Sequence, residues 1–142
     1  MRRSLVLVGM FATTAFGLPA IAQDFRQTAP ATAKVYFIEP KDGAEISGPV
    51  TVKFGLAGMG VAPAGIDKKD TGHHHLLINQ KLVDGMAAIP ADDKHKHFGL
   101  GQTETTVTLP PGKHTLQLFL GDHQHIPHNP PVESAVITIT VK

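Results

Sequence analysis

Apolar and polar residues alternate with a period of two through several short stretches, the signature of a strand with one buried face. In Lys113–Gly121, His114, Leu116, Leu118 and Leu120 point one way and Lys113, Thr115, Gln117 and Phe119 the other. Ser134–Val141 sets Val136, Ile137, Ile139 and Val141 against Thr138 and Thr140. Stretches rich in Val, Ile, Thr and Phe at Lys34–Glu39, Val50–Ala57, His73–Asn79 and Thr103–Leu109 supply the other strong strands, and a weaker one is expected between Lys81 and Phe98. Turns are marked by Pro40-Lys41-Asp42-Gly43, Gly48-Pro49 and Pro110-Pro111-Gly112. No helical period and no internal repeat interrupts this pattern. It predicts an all-β, antiparallel β-sandwich of about seven strands. The long Gly- and Pro-rich loop 58–72 is of the kind that carries function.

The N-terminal residues follow a different logic. Arg2 and Arg3, the apolar run Leu5–Phe11 and the small-residue signal Ala20-Ile21-Ala22 read as a secretory signal peptide, residues 1–22, cut before Gln23. A periplasmic, soluble protein without a membrane anchor is expected, with a flexible leader at 23–33 and the sandwich domain at 34–142. The 13 Lys and Arg face 12 Asp and Glu. Removal of Arg2 and Arg3 leaves eleven against twelve, a balance of −1. Near-neutral, scattered charge argues against binding nucleic acid. The absence of cysteine excludes disulfides, thiolate zinc sites and thiolate copper centres.

The chemistry is concentrated in histidine. Of the 9 histidines, all but His114 fall into three clusters: His73-His74-His75, His95-Lys96-His97, and His123-Gln124-His125 with His128. Imidazole is the commonest metal ligand among side chains. His-x-His on a strand projects both rings to one face, so His73 and His75 form a pair, with His74 facing the other way beside Leu76 and Ile78. His97 adjoins Phe98-Gly99, where the chain turns inward, whereas His95 lies in the charged run Asp92-Asp93-Lys94. Pro127, Pro130 and Pro131 stiffen the loop that carries His123, His125 and His128. Candidate metal ligands are therefore His73, His75, His97, His123, His125 and His128, with His74 and His95 weaker. Asp122 is the candidate acceptor of a hydrogen bond from a ligating ring, which would fix that ring's tautomer. His114, on an apolar face, reads as a buried, hydrogen-bonded structural histidine, and Met59 as ordinary packing.

Glu39-Pro40-Lys41-Asp42-Gly43-Ala44 and Pro111-Gly112-Lys113-His114-Thr115-Leu116, with Asp122 beyond, resemble bacterial immunoglobulin-like domains. Gly72-His73-His74-His75-Leu76-Leu77-Ile78, His97-Phe98-Gly99-x-Gly101-Gln102-Thr103-Glu104 and Gly121-Asp122-His123-x-His125-x-Pro127-His128-x-Pro130-Pro131 together resemble an exported bacterial family known as domain of unknown function 4399. That resemblance implies export and a β-rich fold, and no activity. In an immunoglobulin-like, Greek-key arrangement the third strand begins beside the end of the sixth. Topology then gathers eight histidines at one pole and leaves His114 near the other.

These readings lead to a periplasmic, histidine-rich metal-binding module, a carrier or buffer for copper or zinc, with a periplasmic protein as a further partner. Binding needs neutral rings, so affinity is expected to fall below a pH of about 6.5. The alternative is an adhesive or structural sandwich binding a periplasmic or cell-wall partner without metal. Only one Tyr and no Trp weaken a sugar-binding version of it. No His-Glu-x-x-His helix, nucleophile elbow or phosphate loop is present, so no enzyme is expected. A metal-assisted hydrolase with Asp122 or Glu104 as base is the single version left open.

Overall fold

The computed structural model describes residues 23–82 and 84–142, so the expected signal peptide lies outside the described residues. Among the described residues nine strands are placed: β1 (Lys34–Glu39), β2 (Glu45–Ile46), β3 (Val50–Ala57), β4 (Gly60–Val61), β5 (Thr71–Ile78), β6 (His95–His97), β7 (Glu104–Val107), β8 (Gly112–Gly121) and β9 (Ile137–Val141). They form two sheets, one in the order β1-β3-β7, the other β2-β9-β8-β5-β4 with β6 also paired to β5. This is the expected sandwich. The weaker strand anticipated between Lys81 and Phe98 is β6, three residues long.

The alternation of the sequence explains the core. Val35, Val50, Val52, Phe54 and Val107 from the first sheet meet Leu76, Leu116, Leu118, Leu120, Ile139 and Val141 from the second, all nearly inaccessible to water. At β9 the pattern was read too early. Val136 is 50% exposed and the strand begins at Ile137, because residues 132–134 pair separately with β8. Leu120 N donates to Val132 O (2.9 Å) and Ser134 N to Leu118 O (2.9 Å), and the chain bulges before rejoining.

The outer face of the second sheet is also covered at one end, which simple alternation does not foretell. Leu77, Phe119 and Ile89 form a second buried cluster, with Leu82 packed on it. The segment between β5 and β6 folds back over the sheet to supply Ile89, whose N–H donates to His125 O (2.8 Å). Residues 23–33, expected as a flexible leader, carry fixed contacts. Ala29 N donates to Asn129 O (3.0 Å), Asn129 N donates to Gln27 O (2.9 Å), and Ala29 joins the main core.

The two clusters predict separable stability. Ile89→Ala is expected to cost about 2 kcal/mol of local stability, since it empties the smaller cluster alone. Native-state amide exchange should show faster exchange at residues 88–94 with protection in β8 retained. Equal loss of protection in both would show a single cooperative core.

Candidate metal centre

Strand register positions the histidines. β5 runs antiparallel to β8 on one side and to β6 on the other. His73 lies opposite Gly121, His75 opposite both Phe119 and His97, and His74 opposite Leu120. Residues directly opposite in a pair share a face. His73, His75 and His97 therefore emerge on the outer face, and His74 enters the core with Leu120.

The fourth ring arrives from the loop after β8. Gly121 and Pro127 form an isolated antiparallel bridge, closing a tight loop over residues 122–126. Inside it, Asp122 Oδ1 accepts the N–H groups of Gln124 (2.8 Å) and Ile126 (2.9 Å), and His125 N donates to Asp122 O (2.9 Å). His125 is held at a φ of 67°, a left-handed conformation that costs a non-glycine residue roughly 1–2 kcal/mol. That backbone turn brings its ring back over the sheet.

Four rings consequently meet. One ring nitrogen from each of His73, His75, His97 and His125 lies within 4.8 Å of all the others. His73 Nε2 is 3.0 Å from His125 Nδ1 and also 3.0 Å from His75 Nε2. The His97 ring stands edge-on to His73 and His125, with centroids 5.0 and 4.7 Å away. Two glycines leave space for this. A Cβ on Gly121 would sit 2.8 Å from His75 Nε2, and one on Gly99 would collide with the His97 ring.

Hydrogen bonding among neutral rings does not satisfy this arrangement. Each neutral imidazole has one N–H and one lone pair, so His73 Nε2 serves one good partner and is approached by two. Buried His73 Nδ1, His75 Nδ1 and His97 Nε2 have no partner at all. Convergent nitrogen lone pairs with too few protons between them are what a cation would satisfy.

Burial also disfavours the charged form of three of these rings. Desolvation pushes His75 down to about 2 and His73 to about 4, reinforced by the neighbouring imidazoles and opposed for His73 by Asp122. His97 is lowered by the same burial and by His125.

The remaining candidates are placed elsewhere. Asp122 does not orient a ligating ring. Its carboxylate is engaged by backbone amides, so it shapes the loop instead. His123 turns toward the leader, with Nδ1 3.2 Å from Gln27 Nε2. His128 is buried with Nδ1 3.4 Å from Leu120 O. His95 Nδ1 pairs with Asp92 Oδ1 (2.9 Å). His74 packs on Phe54 with ring centroids 5.0 Å apart and both nitrogens unpartnered. His114 is the bonded structural histidine expected, with Nε2 donating to Pro110 O (2.8 Å) and Nδ1 accepting from Asn79 (2.9 Å). A groove of about 510 Å³ between β6 and β7 meets the centre only through His97. The glycines and Ile89 were missed as site residues. Gly99 and Gly121 stood inside the histidine motifs, but only the fold shows which rings lie over them.

Residues 52–142 match the family model described as Domain of unknown function (DUF4399). The chain belongs to this family. The family region spans β3 to β9 and includes all four converging histidines. No curated protein matches the chain. Among solved structures it is similar to the endo-β-1,4-mannanase from Thermotoga petrophila, at 20% identity and a TM-score of 0.45. That match covers 78% of this chain and 20% of the mannanase.

Two predictions follow from the burial. Unfolded histidines protonate near a pH of about 6.5, while His73, His74 and His75 in the fold resist protonation until well below it. The unfolded state then binds more protons, so stability is fully present above 6.5 and lost as pH falls toward 4. The slope is about 1.4 kcal/mol per pH unit for each such histidine. Urea titrations of the metal-free protein between pH 8 and 4.5 check this, and a flat profile contradicts it. His74→Leu, which removes two orphaned buried nitrogens from an apolar contact, is expected to raise stability by about 1 kcal/mol. It should leave metal binding unchanged, whereas loss of metal binding would place His74 among the ligands.

Proposed function

We propose that this is an exported periplasmic protein that binds one copper(II) or zinc ion with His73, His75, His97 and His125, as a carrier or buffer. The observation that carries this reading is the meeting of four ring nitrogens from β5, β6 and the loop after β8. A tetrahedral zinc ion with Zn–N of about 2.0–2.1 Å separates its ligand atoms by about 3.3–3.4 Å. The observed nitrogens, from 3.0 Å apart to at most 4.8 Å, need only small ring movements to reach that spacing.

Ring burial supports binding at neutral pH. At His73, His75 and His97, where burial disfavours the charged form, proton competition weakens uptake less than at a free imidazole. For the same reason, the fall in affinity expected below a pH of about 6.5 is moved lower at His73 and His75. An all-nitrogen donor set favours copper(II) over zinc in vitro by the Irving–Williams order. The ion is not needed to build the fold, since the sandwich has its own apolar core. His97 and His125 are only half buried, so an ion held there exchanges with its surroundings. Those two properties suit carriage or buffering better than a permanent structural role. Export rests on the signal-like residues 1–22.

Isothermal calorimetry at neutral pH tests the reading. One ion per chain is expected. The double variant His73→Ala/His125→Ala should weaken binding by more than the roughly 10–100-fold that loss of a second-shell contact costs. Weak binding unaffected by the double substitution removes the proposal.

A further inference from the structure

His73 and His75 are wholly inaccessible, and the His97 and His125 rings meet edge-on with centroids 4.7 Å apart. An ion therefore enters or leaves this centre only when one of the four rings gives way. Three of them are fixed by strand pairing. His73 and His75 lie on β5, and His97 lies on β6 opposite His75. His125 stands on a loop, in a left-handed backbone conformation. Its N–H is tied inside that loop, to Asp122 O (2.9 Å), while its carbonyl oxygen accepts from Ile89 N (2.8 Å) in another segment.

That segment, residues 84–91, is fixed at its flanks and lightly held between them. On one side Asn79 is bound to β8, its N donating to Thr115 O (2.9 Å) and its Oδ1 accepting from Thr115 N (2.9 Å). On the other, Asp92 Oδ1 accepts from Lys94 N (2.8 Å) and His95 N (2.9 Å). Ile89 is the one buried residue of 84–91, set against Leu77 and Phe119. Among the described residues, the bond from Ile89 N to His125 O is also the segment's main-chain tie to the rest of the fold. Clefts of about 180 and 360 Å³ border it, the first lined by Asp84, Ala87 and Pro90, the second by Gly85, Gln117 and Phe119. Few buried contacts, with open space beside them, mark a unit that opens locally before the domain unfolds.

Ile89 thus acts at two points. Its side chain anchors the segment beside His75, because Phe119 lies opposite His75 across β5 and β8, and its N–H steadies the backbone of His125. We propose that residues 84–91 form a strap that latches His125 into the donor set through Ile89, and that lifting it is the step by which an ion enters and leaves. This rests on the metal-binding reading and adds to it the route of exchange. Ile89 is a positioning residue, which acts on the ion through His125. Opening of such covering segments commonly sets the rate of release. Coupling is reciprocal, so an ion bound to His125 holds the strap down in turn.

The full chain is loaded with one equivalent of zinc(II), freed of excess metal and mixed at pH 7 with saturating 4-(2-pyridylazo)resorcinol, whose absorbance follows zinc release. Ile89→Ala removes the anchor and is expected to release zinc about tenfold faster than the unaltered protein, and Ile89→Leu to restore slow release. Val52→Ala, a truncation in the main core on the other sheet, should leave the release rate unchanged. Amide exchange of the unaltered protein needs no variant. Without metal, Ile89 should exchange faster than the centre of β8, and zinc should slow Ile89 by about tenfold. Equal release from Ile89→Ala and the unaltered protein overturns the strap and leaves the metal site intact. So does equal acceleration by Val52→Ala, or exchange at Ile89 that zinc does not change. A chain that takes up no zinc overturns the metal reading and this inference with it.

Discussion

The register of β5 between β8 and β6 is the constraint on which the centre depends. Side chains of a strand alternate faces, so a slip of one residue would move His73 and His75 into the core and His74 to the outer face. The hydrophobic neighbours fix the register. Leu76 and Ile78, on the side of His74, belong to the main core, and Leu77, on the side of the histidine pair, belongs to the small cluster with Phe119 and Ile89. Apolar residues thus anchor both faces of β5, and a slip would disrupt both clusters. The same strands that bury the core therefore aim the imidazoles, and neither β6 nor the loop after β8 brings a ring to the site without β5 as its reference.

Holding four imidazole rings together has a cost, and the structure shows where it falls. His125 occupies a left-handed backbone conformation, and His73, His75 and His97 keep buried nitrogens without partners. Such features persist only where surrounding structure over-determines them. Here the Asp122 amide network, the Gly121–Pro127 bridge and the hydrogen bond from Ile89 N to His125 O do so. Metal-ligating histidines usually donate their second nitrogen to an outer acceptor, and His73 and His75 lack one, which distinguishes this centre from sites tuned by carboxylate partners.

Most of the fold was legible in the residues because a period of two with turn punctuation is a strong signal. β1 and β3 agree with the sequence reading at both ends, and β8 within one residue. The split of the His73-His74-His75 run into a pair and a core residue was equally legible, since it needs only alternation. The cover over the outer face was not. Ile89 lies in a stretch of mixed, aperiodic composition, and only long-range packing reveals that it closes on Phe119. That cover also explains why Phe119, assigned to an outward face, is 3% exposed. The third histidine cluster was read in part. Proximity in sequence grouped His123, His125 and His128, but a loop turns each side chain separately, and only the backbone reversal at His125 decides which ring faces the strand.

The difference between a ligand and a bystander at this pole is a matter of which nitrogens are left over. His114 has both ring nitrogens engaged, by Pro110 and Asn79, and His95 has Nδ1 held by Asp92. His74 is unsatisfied but faces Phe54, where no second donor converges on it. Only at His73, His75, His97 and His125 do ring nitrogens converge, and of these four rings His73, His75 and His97 also keep a buried nitrogen without a partner. Burial alone would make these rings a liability, because each desolvated nitrogen without a partner destabilises the fold. Convergence supplies a donor set instead: Nε2 of His73, Nε2 of His75 and Nδ1 of His125 meet, while the orphaned Nδ1 atoms of His73 and His75 are the other nitrogens of their rings. The physical case for metal at this site is therefore the convergence of four ring nitrogens, and it is met at one place among the described histidines.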